Sequence, residues 1–327
     1  MLIENQKTYD AQDVEKIFFR PSFCGQSAND FGIRVLYNMP LPTTVQVFSH
    51  YSDILRNFAP GWEGGSAVNR GQKDINMVKI KAESAYSAED YFSTIYEIIN
   101  NSEALSLDDL SGTELEKAET ELFRRSIVES VYASTWVGDI ENEVSDQTTF
   151  DGLLRQILIE KDNRGDRMAV LISDTDPSYS INELLQYTWS SASEELRSLV
   201  SDGQLAFFVT SDVYDAYQLY LDTYGGSASY VEYVNGRPSL YYHGIPIVEV
   251  PVMKYGAMMC KSFCLLTDRR NLVLALNTAD SPEKGIRMWY NPDEMENRQR
   301  AVFLAGTALL DYRLISGVIS HEKMVDL

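Results

Sequence analysis

The chain has 327 residues, 44% of them hydrophobic, and 48 acidic side chains against 28 basic ones give a formal net charge of −20. That length suits about two domains with buried cores, and the composition excludes a disordered chain. No apolar run approaches the ~20 residues of a membrane-spanning helix, no apolar segment follows Met1 to form a signal peptide, and so acidic a surface repels nucleic acid in isolation.

Residues 1–30 read as an extended arm with one short helix over about Asp10–Phe19. Arg20-Pro21 ends it, because a residue before proline disfavours the α region. FGIRVLYNMP and TTVQVFSHYSDIL are rich in β-branched and aromatic residues and are expected as strands. FAPGWEGGSAVNRGQ has the Gly and Asn content of a mobile loop tip. In KDINMVKIKAESAY, Val78, Ile80 and Ala82 alternate with Lys79, Lys81 and Glu83, the period of a half-buried strand. Residues 31–86 thus read as a long two-stranded excursion with too few apolar side chains for a core of its own, which needs something else to lie on.

SAEDYFSTIYEIINN begins a helix, with Ser87 capping and Asp90 in its first turn. The strongest helical stretch is SGTELEKAETELFRRSIVESVYASTWVGD. Ser111 and Glu114 have capping-box spacing, Leu115, Ala118, Leu122 and the run from Val128 to Val131 recur on one side, and Gly138 is placed as a C′ residue. The helix spans about 26 residues, roughly 39 Å, with a heavily acidic outer face. The charge is unevenly spread: seventeen acids meet three bases (Lys117, Arg124, Arg125) over residues 82–152, whereas nine meet nine over residues 259–327.

A block from about Asp146 to Met258 follows. MAVLISD and QLAFFVTSD are strands, SINELLQYTW and SASEELRSLVSDG are helices, and VYDAYQLYLDTY is a helix capped by Thr210 or Ser211, an α/β or α+β alternation. In YYHGIPIVEVPVM, the run Ile245–Val250 between Gly244 and Pro251 is a strand, and Pro246 places it at an edge or a strand start. CLLTDRRNLVLALN, GIRMWYNP and RAVFLAGTALLDYRLISGVIS read as long strands.

Local catalytic signatures are missing: there is no P-loop, Rossmann glycine fingerprint, nucleophile elbow or HExxH. His50, His243 and His321 lie far apart, and nothing local supports a triad. Asp108-Asp109 and Asp174-Asp176 fall in turn-like sequence without the EF-hand pattern. Cys24, Cys260 and Cys264 fit a reducing cytosol; a zinc site needs about four ligands, so the cysteines are expected as small buried hydrophobes. Arg164-Gly165-Asp166 spells an adhesion tripeptide, but in KDNRGDR a polar turn is expected, with Gly165 supplying positive φ. Twenty tyrosines offer contact area with a polar tip. No catalytic, cofactor-binding or metal-ligating residue is assigned, and no cofactor is expected.

The order of elements resembles the major capsid protein of tailed bacteriophages and prophages, the Hong Kong 97-type shell fold, over nearly the whole chain. KDINMVKIKAESAYS resembles the strand that closes the family's extended loop, and the Leu115–Gly138 helix followed by GD its spine helix. TTFDGLL resembles the entry to the axial domain, PSLYYHGIPIVEVPVM the strand leaving it, LLTDRRNLVLALN the return into the peripheral domain, and RAVFLAGTALLDYRLISGVIS the closing strand pair. The resemblance implies an α+β chain divided into an N-terminal arm (1–30), an extended β-loop (31–86), a peripheral domain with a long spine helix (87–146), an axial domain (147–258) and a return to the peripheral domain with the closing strands (259–327). The strand at 245–250 is then expected as a hinge between axial and peripheral domains, turned at Gly244 and Pro246 and anchored by Ile247 and Val250.

The function so implied is structural, not enzymatic. Copies assemble into hexamers and pentamers that close an icosahedral head around double-stranded DNA, in the bacterial cytoplasm and then the virion. Residues 31–86 lie across a neighbouring subunit, residues 1–30 lash adjacent subunits, and the axial block meets its copies around the capsomer axis. Scaffolding, portal and decoration proteins are the other partners, with no membrane. The spine helix faces the interior, where an acidic wall contacts packaged DNA weakly and non-specifically. No helical extension precedes the arm, so a separate scaffold, or none, is expected. Lys73 and Asn69 fall where some members crosslink, but nothing in the sequence pairs them. Two other readings remain: an encapsulin-like shell enclosing a cargo enzyme, and an acidic α/β enzyme with a site built from scattered residues.

Overall fold

The computed structural model describes residues 7–8, 32–37, 43–49, 69–87, 114–141, 147–173, 180–224, 232–234, 237–251, 260–277, 286–321 and 324. The expected helix at Asp10–Phe19, the helix after Ser87, the cap Ser111, Cys24, His50, Asp108-Asp109 and Asp174-Asp176 lie outside these residues.

In chain order come β1 (Lys7–Thr8), β2 (Arg34–Tyr37), β3 (Thr43–Ser49), β4 (Asn69–Ile75), β5 (Val78–Ser87), α1 (Glu114–Val137), α2 (Leu153–Arg164) and β6 (Ala169–Ser173). Then follow α3 (Ile181–Ser191), α4 (Glu194–Ser198), β7 (Leu205–Thr210), α5 (Ser211–Tyr224), β8 (Glu232–Val234), β9 (Arg237–Ser239), β10 (Tyr241–Tyr242) and β11 (Ile245–Val250). The last five strands are β12 (Ser262–Asp268), β13 (Leu272–Asn277), β14 (Ile286–Asn291), β15 (Glu296–Leu309) and β16 (Ile315–Ser320).

Two six-stranded sheets form the body. One has the order β1-β14-β15-β13-β2, with β5 also on β15; the other has β10-β11-β7-β12-β16-β6. The second sheet combines strands of the 147–258 block with β12 and β16 from the 259–327 segment. Its strands β7, β12 and β16 are buried throughout because both of their faces are covered. Phe207, Cys264 and Val318 point to α3 and α5, while their neighbours Phe208, Leu265 and Ile319 point to a core shared with α1 and α2. That shared core also takes Leu272, Leu274, Phe303 and Ala305 from the first sheet. Its centre is Trp136, fully buried against Phe208 (centroids 5.4 Å apart) and Phe263 (5.8 Å).

α1 has 24 residues, about 36 Å at 1.5 Å per residue. Its last turns are buried from Val131 through Val137 apart from half-buried Tyr132, so the simple one-sided pattern of its sequence gives way to full enclosure. Gly138 ends the helix for a different reason from the expected left-handed C′ turn: it is absent from the positive-φ glycines. A Cβ there would lie 2.2 Å from the Phe150 carbonyl oxygen, so the residue must be glycine for the chain to pass. α3 begins with a full capping box, Ser180 Oγ accepting from Glu183 N and the Glu183 carboxylate from Ser180 N.

β11 is not a hinge. It runs parallel to β7 with Ile247–Val250 opposite Phe207–Thr210, inside one sheet. Gly244 does supply the turn, at φ 77 beside His243 at φ 51, and it joins β10 to β11; Ile247 and Val250 are buried as expected. Pro246 faces the two-residue β10 near the sheet edge, where a missing donor costs little. Two direct strand-to-strand passages between the sheets are elsewhere. β12 leads through Arg269–Asn271 into β13, and β15 leads through residues 310–314 into β16. CLLTDRRNLVLALN, expected as a long strand, is therefore split between the sheets, and so are the two members of the closing strand pair.

Candidate functional site

No group of three His, Cys, Asp or Glu is placed to hold a metal among the described residues. Cys260 and Cys264 are buried free thiols, each pushed up to about 12 by burial. A thiol that far from ionisation is no nucleophile at neutral pH. Neither should be alkylated by iodoacetamide in the native protein at pH 8, and both should be after unfolding in urea; peptide mass spectrometry reads this directly. His243 is exposed and stacks on Trp189 at 5.6 Å, and His321 is exposed at the end of β16. Arg164 ends α2, lies over the Tyr312 ring and bonds Glu160, while Gly165 adopts φ 57, the polar turn expected of this tripeptide.

The distinctive feature is the excursion. β2 does not belong to it: it is a body strand, parallel to β13. The excursion proper is the hairpin β3–β4, a two-stranded sheet with Thr43 opposite Ile75 and Ser49 opposite Asn69, bonded to no other strand among the described residues. Thr44, Gln46, Gly71, Gln72 and Asp74 are exposed, as the polar sequence requires. The returning strand breaks at Asn76-Met77, and β5 then joins β15 over ten residue pairs, Ser87 opposite Glu296 to Val78 opposite Ala305.

The break is the seat of the hairpin. Ile75 and Met77 are buried against Val273, Ala275, Leu304 and Ala308 of the first sheet. Gly306 lets the Asn76 carbonyl approach, since a Cβ there would lie 2.3 Å from that oxygen. Lys73 Nζ reaches Glu160 Oε1 of α2 at 2.7 Å, and Arg164 Nε reaches Glu160 Oε2 at 3.3 Å. Burial opposes ionisation of Glu160, but Lys73 and Arg164 outweigh it and hold the carboxyl below its usual value. A lowered carboxylate pKa means stability present above the unfolded value and lost as pH falls through the folded one. Glu160→Gln should therefore speed amide hydrogen exchange in β4 at pH 7, and the difference from wild type should shrink once pH falls below the ordinary carboxylate range.

A second constellation joins the two inter-sheet passages. Asn271 is buried; its Nδ2 donates to Asp311 O at 2.9 Å, Thr267 Oγ1 at 3.2 Å and Leu314 O at 3.2 Å, and its Oδ1 accepts from Asp311 N at 2.7 Å. Nothing in the composition of TDRRN distinguishes this asparagine from a turn residue. Beside it, Asp268 Oδ1 accepts from Arg270 N at 2.7 Å and both its oxygens take the Arg270 guanidinium, which raises the arginine's pKa.

No protein-family model and no curated protein matches the sequence. Solved structures do match. A chain of the satellite phage P4 procapsid that includes the size determination protein is 13% identical, with a TM-score of 0.57, over 97% of this chain and 99% of that one. A chain from Gordonia phage Cozz is 12% identical, with a TM-score of 0.52, over 89% and 85%. A chain from the capsid of an empty GTA particle is 13% identical, with a TM-score of 0.50, over 89% and 94%. The chain thus has, as a whole, the mixed α+β fold of the Hong Kong 97-type found in phage capsid proteins.

Proposed function

We propose that the chain is a structural coat subunit whose copies assemble into hexamers and pentamers of an icosahedral phage head enclosing double-stranded DNA. The observation that carries this reading is the β3–β4 hairpin, which exposes Thr44, Gln46, Gly71, Gln72 and Asp74 and is seated on its own chain through Val45 and Ile75. A two-stranded sheet is marginal in water on its own, and in this reading a neighbouring subunit supplies surface that its own chain does not. The proposal keeps the extended-loop role for this hairpin and the capsomer-centre role for the 147–258 block, which shares its sheet with β12 and β16. Acids of the stretch 82–152 that are not taken up by contacts between copies line the interior wall in this reading, where they leave packaged DNA free to slide.

Negative-stain electron microscopy beside sedimentation velocity tests it, at high protein concentration and two salt levels. Closed particles or six-fold rings are expected; particles isolated from a phage-producing culture should contain nuclease-protected DNA. Particles filled with a protein cargo would make the shell a compartment instead. A wild-type chain that stays monomeric with and without phage scaffold would sink the proposal.

A further inference from the structure

Where the two sheets meet, a cleft of about 420 Å³ is lined by Arg34, Arg269, Arg270, Gly32, Gly203 and Gln204, with no acid in its lining. Three of the chain's 28 basic residues converge there. Arg270 is held from behind by Asp268 and, at 3.3 Å, by Asp202. Arg34 begins β2, is exposed, and makes no side-chain hydrogen bond or ion pair with the described residues. Gly32 and Gly203 sit at φ 69 and φ 67 and keep side chains out of the walls; a Cβ on Gly203 would meet nothing within 4 Å.

The charge of the molecule is segregated. Seventeen acids and three bases in residues 82–152 leave −14 of the total −20, while residues 259–327 balance at nine and nine. Copies with this net charge repel one another unless cationic surface on one meets the acids of the next. We propose that the Arg34–Arg269–Arg270 cleft receives carboxylates of the acidic stretch 82–152 of a second copy of this chain. This inference rests on the self-assembly reading above. Arg34 suits it, because a guanidinium takes a carboxylate through two parallel N–H bonds, whereas Arg270 already closes its fork on Asp268. Duplex DNA is the poorer occupant: one cleft neutralises few phosphates, and the surrounding acidic protein repels the rest.

The test titrates a fluorescein-labelled peptide of residues 97–121, eight acids and one base, with the full-length protein. Wild type should bind it saturably at low salt and release it as salt rises. Arg34→Glu, shown to be folded by circular dichroism, should bind about tenfold more weakly or less, and Arg34→Lys should recover much of the loss. Sedimentation velocity of Arg34→Glu should show fewer large species than wild type at low salt. Absence of peptide binding by wild type, or equal binding by Arg34→Glu, overturns the proposal, as does a duplex oligonucleotide that outcompetes the peptide for the cleft. The two readings fail differently. Shells that form equally well in Arg34→Glu remove the cleft and leave assembly standing, whereas Arg34-dependent peptide binding by a chain that never assembles removes the shell.

Discussion

Gly138→Ala should lower the stability of the folded chain by about 3–5 kcal/mol, read as a large drop in the urea midpoint. The added Cβ would lie 2.2 Å from the Phe150 carbonyl oxygen, 2.5 Å from that of Ser134 and 3.2 Å from Gly152 N, all backbone atoms with no rotamer to yield. The backbone cannot simply part. Gly152 N donates to Gly138 O at 2.8 Å and Gly138 N to Ser134 O at 3.0 Å, and the segments on either side carry the buried Trp136, Phe150 and Leu153. Gly152 is its counterpart, with a Cβ 2.7 Å from Gly138 N. Gly165→Ala is the control. Its φ of 57 with ψ −130 imposes backbone strain of about 1–3 kcal/mol on a side-chain-bearing residue, but a Cβ there touches nothing. If the two substitutions shift the midpoint equally, close approach at Gly138 is not what makes glycine necessary.

Asn271→Leu should cost about 3–5 kcal/mol despite preserving size and burial. The asparagine amide is the shared partner of both passages between the sheets: it meets Thr267 on one and Asp311 and Leu314 on the other. Leucine would leave Asp311 N and the Asp311 carbonyl without this partner where water does not easily replace it. Thr267 Oγ1 already donates to Leu314 O at 2.6 Å, so that oxygen keeps one bond. Urea melts of Asn271→Leu and Asn271→Ser check this. A serine too short to span the two passages should fare little better than leucine, and a near wild-type melt for either would show that the passages hold without the clamp.

Much of the layout was legible from the chain. The apolar runs at Leu205–Thr210, Ile245–Val250 and Ile286–Asn291 are strands, and the long helix ends at Val137 as its pattern indicates. Partition among sheets was not legible. Leu265 and Leu274 are chemically alike, yet they lie in different sheets because Asp268 and Asn271 turn the chain between them. Side-chain alternation also failed as a guide in β7 and β12, where both faces are buried and every residue is inside. The hairpin announced itself through its polar, Gly-rich sequence, but not its seat. Ile75 and Met77 flank a break in pairing that only the opposing Gly306 makes possible, and that glycine lies 229 positions beyond Met77 in sequence. The arginine cleft was equally hidden, since Arg34 and Arg269 meet only when β2 pairs with β13.

The position of β16 has a consequence for biosynthesis. It lies between β12 and β6 in the second sheet, while β15 joins β5, β13 and β14 in the first. The first sheet lacks its central strand until residue 309 has left the ribosome and the second is not continuous until residue 320 has, because long-range partners cannot pair before they exist. A ribosome-stalled or truncated product lacks a middle strand and exposes the edges of β12 and β6. Such fragments are expected to be bound by chaperones or degraded by proteases. Completion of the second sheet thus follows the emergence of β16, with translation itself as the timer.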